Sequence, residues 1–280
     1  LNIFLFKSFL KRGNKKTHYG LLIGFLLILG CEPISEETQK SPPPIGQMVM
    51  IPAGKFIMGS DKTDETQEGV EFGSAKPWFL DEHPKRTVFQ PAFKMDIYEV
   101  TNKEYRGFID KTATPPPPTW PEGNFPPEQE QWPVTGITWF EAEQFCRWAK
   151  KRLPTEAEWE KAARGTDGRE FPWGNQFDEK KGNIGGTSLK PVGSYPEGVS
   201  PYGIYDMAGN VSEWVSNWYK PYPGATYSSK AYGEKFKVVR NSSWGGSAGH
   251  YTVSHFYRTS YRFFQLPIRR FRDIGFRCAM

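Results

Sequence analysis

Cysteine is scarce in this chain, long hydrophobic runs are missing, and past the first 30 residues neither sign of charge is in excess. Each shortage excludes something. The apolar run LLIGFLLIL at 21–29 has nine residues, and as a helix it rises about 14 Å against a hydrocarbon core of about 30 Å, so it does not span a membrane. Five of the 36 basic residues and none of the 31 acidic ones fall within 1–30, which leaves 31 of each beyond. A chain so balanced gives no support for nucleic-acid binding, although its overall pI is about 8.9. No segment repeats at a period of 20 to 50 residues, which argues against a solenoid. No glycine-rich loop with a lysine follows a strand, which removes the P-loop nucleotide binders.

What is present is size and aromatic weight. A chain of 280 residues with 38% hydrophobic residues can bury a proper core. Its 10 Trp, 13 Tyr and 21 Phe stand beside 28 Gly and 24 Pro, a mix that predicts a loop-rich fold of modest helix content.

The amino terminus reads as an export signal. Lys7, Lys11, Arg12, Lys15 and Lys16 precede the apolar run, and ILGC at 28–31 resembles a bacterial lipobox. Residues 1–30 are then a lipoprotein signal peptide and Cys31 the lipidated first residue of the mature chain; the plainer alternative is a secretory signal with an incidental cysteine. The polar, proline-rich segment 31–45 reads as a flexible tether, and 46–280 as the folded domain. The expected location is the bacterial cell envelope, membrane-anchored and facing the periplasm or the exterior. In that oxidising setting the remaining pair, Cys146 and Cys278, is expected to form a disulfide, two separate buried thiols being the alternative.

Along the domain, MVMIPAGKFIM predicts two short strands joined by a turn, and residues 87–101 read as extended chain. Thr101–Glu104, Thr138–Glu141 and Thr155–Glu158 each have the capping-box spacing that starts a helix. Ala142, Phe145, Cys146 and Ala149 form one buried stripe; Trp159, Ala162 and Ala163 form another, stopped by Gly165. The proline-rich stretch 114–133 reads as a stiff surface loop, either a variable insertion or a docking surface with exposed aromatics. IGFRCA at 274–279 reads as a closing strand.

Taken together, MVMIPAGKFIMGS, DEHPKRTV, IYEVTNKEY, PVTGITWFEAEQFCRWAKKRLPTEAEWEKAARG, FPWGN, YGIYDMAGNVSEW, the region after Arg240 and IGFRC resemble the formylglycine-generating enzyme family, also called the sulfatase-modifying-factor family. The match runs from about 47 to 278. It implies an α+β fold: a single compact domain related to C-type lectins, low in regular structure and rich in loops. It also implies the Cys146–Cys278 pairing already expected from compartment and parity.

Two kinds of metal site come with the resemblance. One calcium site maps onto Asp206, Gly209, Val211 and Glu213, hard oxygen ligands on a glycine-bearing turn; the alternative is a turn whose carboxylates cap backbone amides. A second, weak site begins at Asn183 and Ile184, but the loop that completes it is shortened to GGTSLK. Active members hold copper(I) with two cysteines, because soft thiolates select that ion. Those positions fall on Gly246 and Tyr251, so no copper cofactor is expected. Ser212 stands where the family has a tryptophan lining the active site.

Other residues near the lost pair offer less. His250 and His255 could ligate a metal but have no evident third partner, and His83 reads as structural. Ser242, Ser243, Ser247 and Ser254 lack a general base whose placement spacing could reveal. Arg240, Arg258, Arg262, Arg269, Arg270 and Arg272 form a basic tail that would either clamp an anion or pair with acids. The leading expectation is a non-catalytic binding or structural module. Its cleft, walled by Ser212, Trp214, Trp244, His250, Tyr251 and Arg258, would hold a peptide, glycan or protein partner in the envelope. Two oxidoreductase readings stand beside it: different chemistry on the same scaffold, and formylglycine generation by a cysteine-independent route.

Overall fold

The structure, a computed structural model, describes residues 42–71, 77–246 and 253–280. The expected leader, Cys31 and the tether as far as residue 41 lie outside the described residues. Among the described residues no helix is long and apolar enough to cross a membrane.

Along the chain come strands β1 (Met48–Ile51) and β2 (Gly54–Met58), a one-turn helix α1 (Glu68–Glu71), strands β3 (Arg86–Gln90) and β4 (Phe93–Asp96), and helices α2 (Asn102–Thr112), α3 (Trp139–Trp148) and α4 (Glu156–Arg164). Strands β5 (Ser212–Trp218), β6 (Lys237–Arg240), β7 (Arg262–Gln265) and β8 (Ile274–Gly275) follow. This is the expected α+β architecture: short helices, small sheets and long loops. All three capping boxes form. In each the threonine hydroxyl accepts from the third helical amide at 3.2 Å, while the glutamate carboxylate accepts the threonine amide at 2.7 to 2.9 Å. Two orphan donors are thereby satisfied at each helix start.

The first two strands form as expected but do not pair with each other. β1 pairs with β4, and β2 with β3, both antiparallel. The reason lies in the connection: Lys161 of α4 donates its ammonium to the carbonyls of Pro52 and Gly54 at 2.6 and 3.3 Å, which turns the chain onto the helix instead of back on itself. The closing segment is likewise shorter than expected. Only Ile274–Gly275 is a strand, parallel to β5, in a sheet ordered β7-β6-β5-β8. The proline-rich loop does not leave all its aromatics exposed. Trp120 is buried and its indole donates to Asn102 at 2.9 Å.

The largest apolar cluster joins α2, α3, Trp214 and the carboxy-terminal segment. Cys146 and Cys278, both fully buried, are disulfide-bonded within it with Cα atoms 5.7 Å apart. The bridge spans 132 residues, so it removes much of the unfolded chain's freedom. Urea unfolding of the reduced chain is expected to show an unfolding free energy lower by about 4 kcal/mol; equal stability with and without reductant would show the bridge to be energetically idle.

Candidate functional site

Strand alternation decides where the cleft lies. In the register Val239↔Phe263 and Arg240↔Arg262, successive side chains leave the sheet on opposite faces. Arg240 and Arg262 go to the face that meets α4, where they pair with Glu156 and Glu160. Val239 and Phe263 go to the other face, which opens into a cleft of about 260 Å³. Ser212 enters it from the first residue of β5, and Asn241, Ser242 and Gly246 from the segment after β6. Gln265 and Asp273 complete its polar wall, with Tyr261 and Phe271 among its rings.

Asp273 is the one carboxylate among the described lining residues. Burial pushes its carboxyl upward from the usual range, and the Ser243 hydroxyl, donating at 3.2 Å, works in the opposite direction. The described wall therefore offers hydroxyls, amides, a carboxyl and aromatic faces. It holds no thiol and no imidazole. Copper(I) requires soft ligands, and Gly246 brings no side chain at all, so the described residues do not fit that metal. Its φ of +68° is a backbone conformation that glycine adopts without strain.

The expected site residues do not all meet here. Ser212 and Gly246 line the cleft, but Trp214 does not: it is fully buried in the largest apolar cluster, its indole directed at the Ile137 carbonyl. Trp244 is half-buried, and its amide donates to the Asn210 carbonyl at 2.9 Å. Arg258 belongs to a different cluster. Its guanidinium grips Glu82 with two bonds of 2.9 and 2.6 Å and lies 4.4 Å from the Phe79 ring. His255 is in that cluster too, stacked on Trp78 at 4.2 Å and within 3.2 Å of Arg258. His83 meets the Lys62 carbonyl. His250, Tyr251 and Ser247 lie outside the described residues.

The turn expected to hold calcium is organised by Asn241. Its amide nitrogen donates to the carbonyls of Asp206, Gly209 and Val211 at 3.1, 2.7 and 2.9 Å, and its carbonyl oxygen accepts from the amides of Gly209 and Ser242 at 2.9 and 2.7 Å. Gly209 packs so closely on Asn183 that a Cβ would meet the Asn183 carbonyl oxygen at 2.6 Å. Glu213 is fully buried, accepts from Trp159 at 2.9 Å, and is clasped by Arg277 through bonds of 2.9 and 2.8 Å. The Asp206 carboxyl accepts from Gly193; burial pushes Asp206 up to about 6, and burial with the neighbouring Asp206 pushes Glu99 well above its ordinary value.

A cation between these atoms would displace the Asn241 amide and face the Arg277 guanidinium, so the residues do not fit calcium. The weaker site fares no better. Asn183 turns its amide to Ser188 and Asn210 at 3.0 and 3.1 Å, and Ile184 packs among aromatics. Among the described residues no group of three or more His, Cys, Asp or Glu is placed to hold a metal.

Sequence reasoning missed Asn241, Tyr261, Gln265, Phe271 and Asp273. A signal existed for Asn241, which occupies the first position of the family's GGS-aromatic motif and adopts φ +65°, where asparagine is the next-best residue to glycine. None existed for Gln265 or Asp273, which reach the cleft only through strand pairing.

Comparisons with known proteins agree on the family. The family model described as the sulfatase-modifying factor enzyme 1-like domain matches residues 34–280. The chain is 34% identical over 278 residues to the hercynine oxygenase of Mycolicibacterium smegmatis, a match covering 84% of this chain and 61% of that protein. It is 29% identical over 286 residues to the inactive C-alpha-formylglycine-generating enzyme 2 of Mus musculus, covering 83% and 85%. Among solved structures, PvdO from Pseudomonas aeruginosa superimposes with a TM-score of 0.64 at 28% identity, covering 83% of this chain and 93% of that one.

The Asn241 bonds yield a measurable expectation. Asn241→Gly keeps the backbone conformation but leaves buried carbonyls unpaired, and should lower the unfolding free energy by about 2 kcal/mol. Added calcium should leave the Tm of the natural chain unchanged, whereas a calcium-dependent rise would show that the ion binds the folded turn.

Proposed function

Because this chain belongs to the sulfatase-modifying-factor family, we propose that it uses the family's domain as a binding or structural module of the bacterial envelope, held to the membrane by a lipid on Cys31. The observation that carries the first half is the makeup of the cleft. Its described wall recognises through hydroxyls, amides, one carboxyl and ring faces, the groups that bind a neutral polar peptide or glycan, and position 246 presents backbone where a metal-holding thiolate would be needed. The relative named an inactive formylglycine-generating enzyme indicates that the fold persists in proteins described as without that activity. Support for the second half is the ILGC sequence behind a basic and then apolar leader.

A second reading has its own support. Relatives of this chain are oxidoreductases, and the one named hercynine oxygenase shares 34% of aligned residues, although this chain spans only 61% of its length. On that reading the scaffold retains an oxidase or formylglycine-generating activity with ligands drawn from elsewhere. Iron or copper in stoichiometric amount, lost on His250→Ala with His255→Ala, would favour it over the module.

The full chain incubated with a CxPxR peptide, with and without copper, should form no aldehyde detectable by mass spectrometry. Aldehyde product would overturn the module reading. Expressed in a bacterium fed labelled palmitate, the natural chain should incorporate label and sediment with membranes. Cys31→Ser should do neither; label retained in that variant would place the anchor elsewhere.

A further inference from the structure

A second, larger cleft lies away from the family's site. It measures about 650 Å³ and is bounded by the β2–β3 pair, the start of α4 and the β5–β6 pair. Arg86, Lys220, Lys237 and Arg262 line it, against one carboxylate, Glu156. Arg262 and Glu156 already pair with each other at 2.8 Å, and Lys220 pairs with Glu234 at 2.9 Å. Two cations remain. Neither Arg86 nor Lys237 has a carboxylate partner among the described residues.

Both are held in place by other means. The Arg86 guanidinium lies 3.7 Å from the centre of the Tyr222 ring, and its terminal nitrogens find only the Met58 sulfur at 3.3 Å and the Pro84 carbonyl at 3.5 Å. A thioether is a weak acceptor and the carbonyl contact is long, so the planar fork that suits a carboxylate is left largely unused. The Lys237 ammonium sits between the rings of Trp139 and Trp218, at 3.8 and 3.9 Å, and donates to the Ser216 carbonyl at 2.8 Å. An ammonium has three donors, and one bond leaves two for a ligand. Cation–π contact fixes each charge without neutralising it. The two cations stand on different sheets, Arg86 on β3 and Lys237 on β6.

We propose that this cleft is a binding site for small organic acids carrying two or more carboxylates, one taken by the Arg86 fork and another by Lys237. A cavity of this size is within the range of small-molecule sites. Burial pulls Lys237 down to about 8, while Glu143 of α3 and Glu234 act in the opposite direction at longer range. A bound anion would favour the charged ammonium, so affinity should fall as pH rises through that value.

The test is calorimetric titration of the full chain with citrate and with glutarate, using acetate, inorganic phosphate and glucose as comparisons. Saturable binding of both polycarboxylates is expected, at least about tenfold tighter than acetate. Arg86→Gln and Lys237→Met should each weaken it by at least about tenfold, while Lys94→Met, on an exposed position of β4, should leave it unchanged. Lys237→Arg should retain binding and lose the fall above pH 8, since arginine stays charged. Thermal melting checks the fold of every variant; if Lys237→Met does not fold, half-buried Arg86 decides alone. No saturable binding of either polycarboxylate, tighter binding of phosphate, or affinity unchanged by Arg86→Gln would each overturn the proposal.

Discussion

The fold depends on helix α4 presenting carboxylates to arginines that are almost wholly buried. Glu156 accepts from Arg240 and Arg262, and Glu160 from Arg240 and Arg164. Arg240 and Arg262 are among the largest fully buried side chains, and Arg240 also reaches the Thr259 carbonyl. Charges removed from water are costly, and removing either partner of such a pair costs about 3 to 5 kcal/mol because the other is left buried and unpaired. The helix therefore cannot shift by a turn, nor can β6 and β7 slip in register, without stranding a charge. The lattice acts as a key more than as a source of net stability. By holding one face of the sheet, it determines which residues the opposite face turns toward the cleft.

Helix starts were legible because their signal is local. A threonine and a glutamate three apart act on amides of the same turn, and nothing distant competes. Strand partners were not legible, since β1 and β2 are diverted by Lys161, more than 100 residues away in sequence. The arginines were half legible. Their abundance was plain, but only the fold shows that Arg240, Arg258 and Arg262 are spent on internal carboxylates, that Arg270 pairs with Glu141, and that Arg269 and Arg272 stay at the surface. Trp214 misled for a related reason. Its place in the family motif suggested a wall of the site; it does leave β5 on the same face as Ser212, but there that face is covered by the main core, where its indole meets the Ile137 carbonyl.

On the proposed module reading, the family scaffold is kept while its chemistry is altered. The shape is held by the disulfide, the capping boxes, and Glu213 with Arg277. Positions that face the cleft differ, with Ser212 for an indole and Gly246 where a thiolate is needed. Asn241 belongs to both groups. It adopts a left-handed backbone conformation, and with one side chain it ties together the carbonyls of Asp206, Gly209 and Val211.

The carboxy-terminal residues carry one more consequence. Phe276 and Cys278 lie in the main core, Arg277 clasps Glu213, and the backbone of Met280 exchanges two hydrogen bonds with Lys94. Residues 274–280 therefore form an internal wedge of the domain: without them the core of α2 and α3 loses a wall and Glu213 loses its counter-charge.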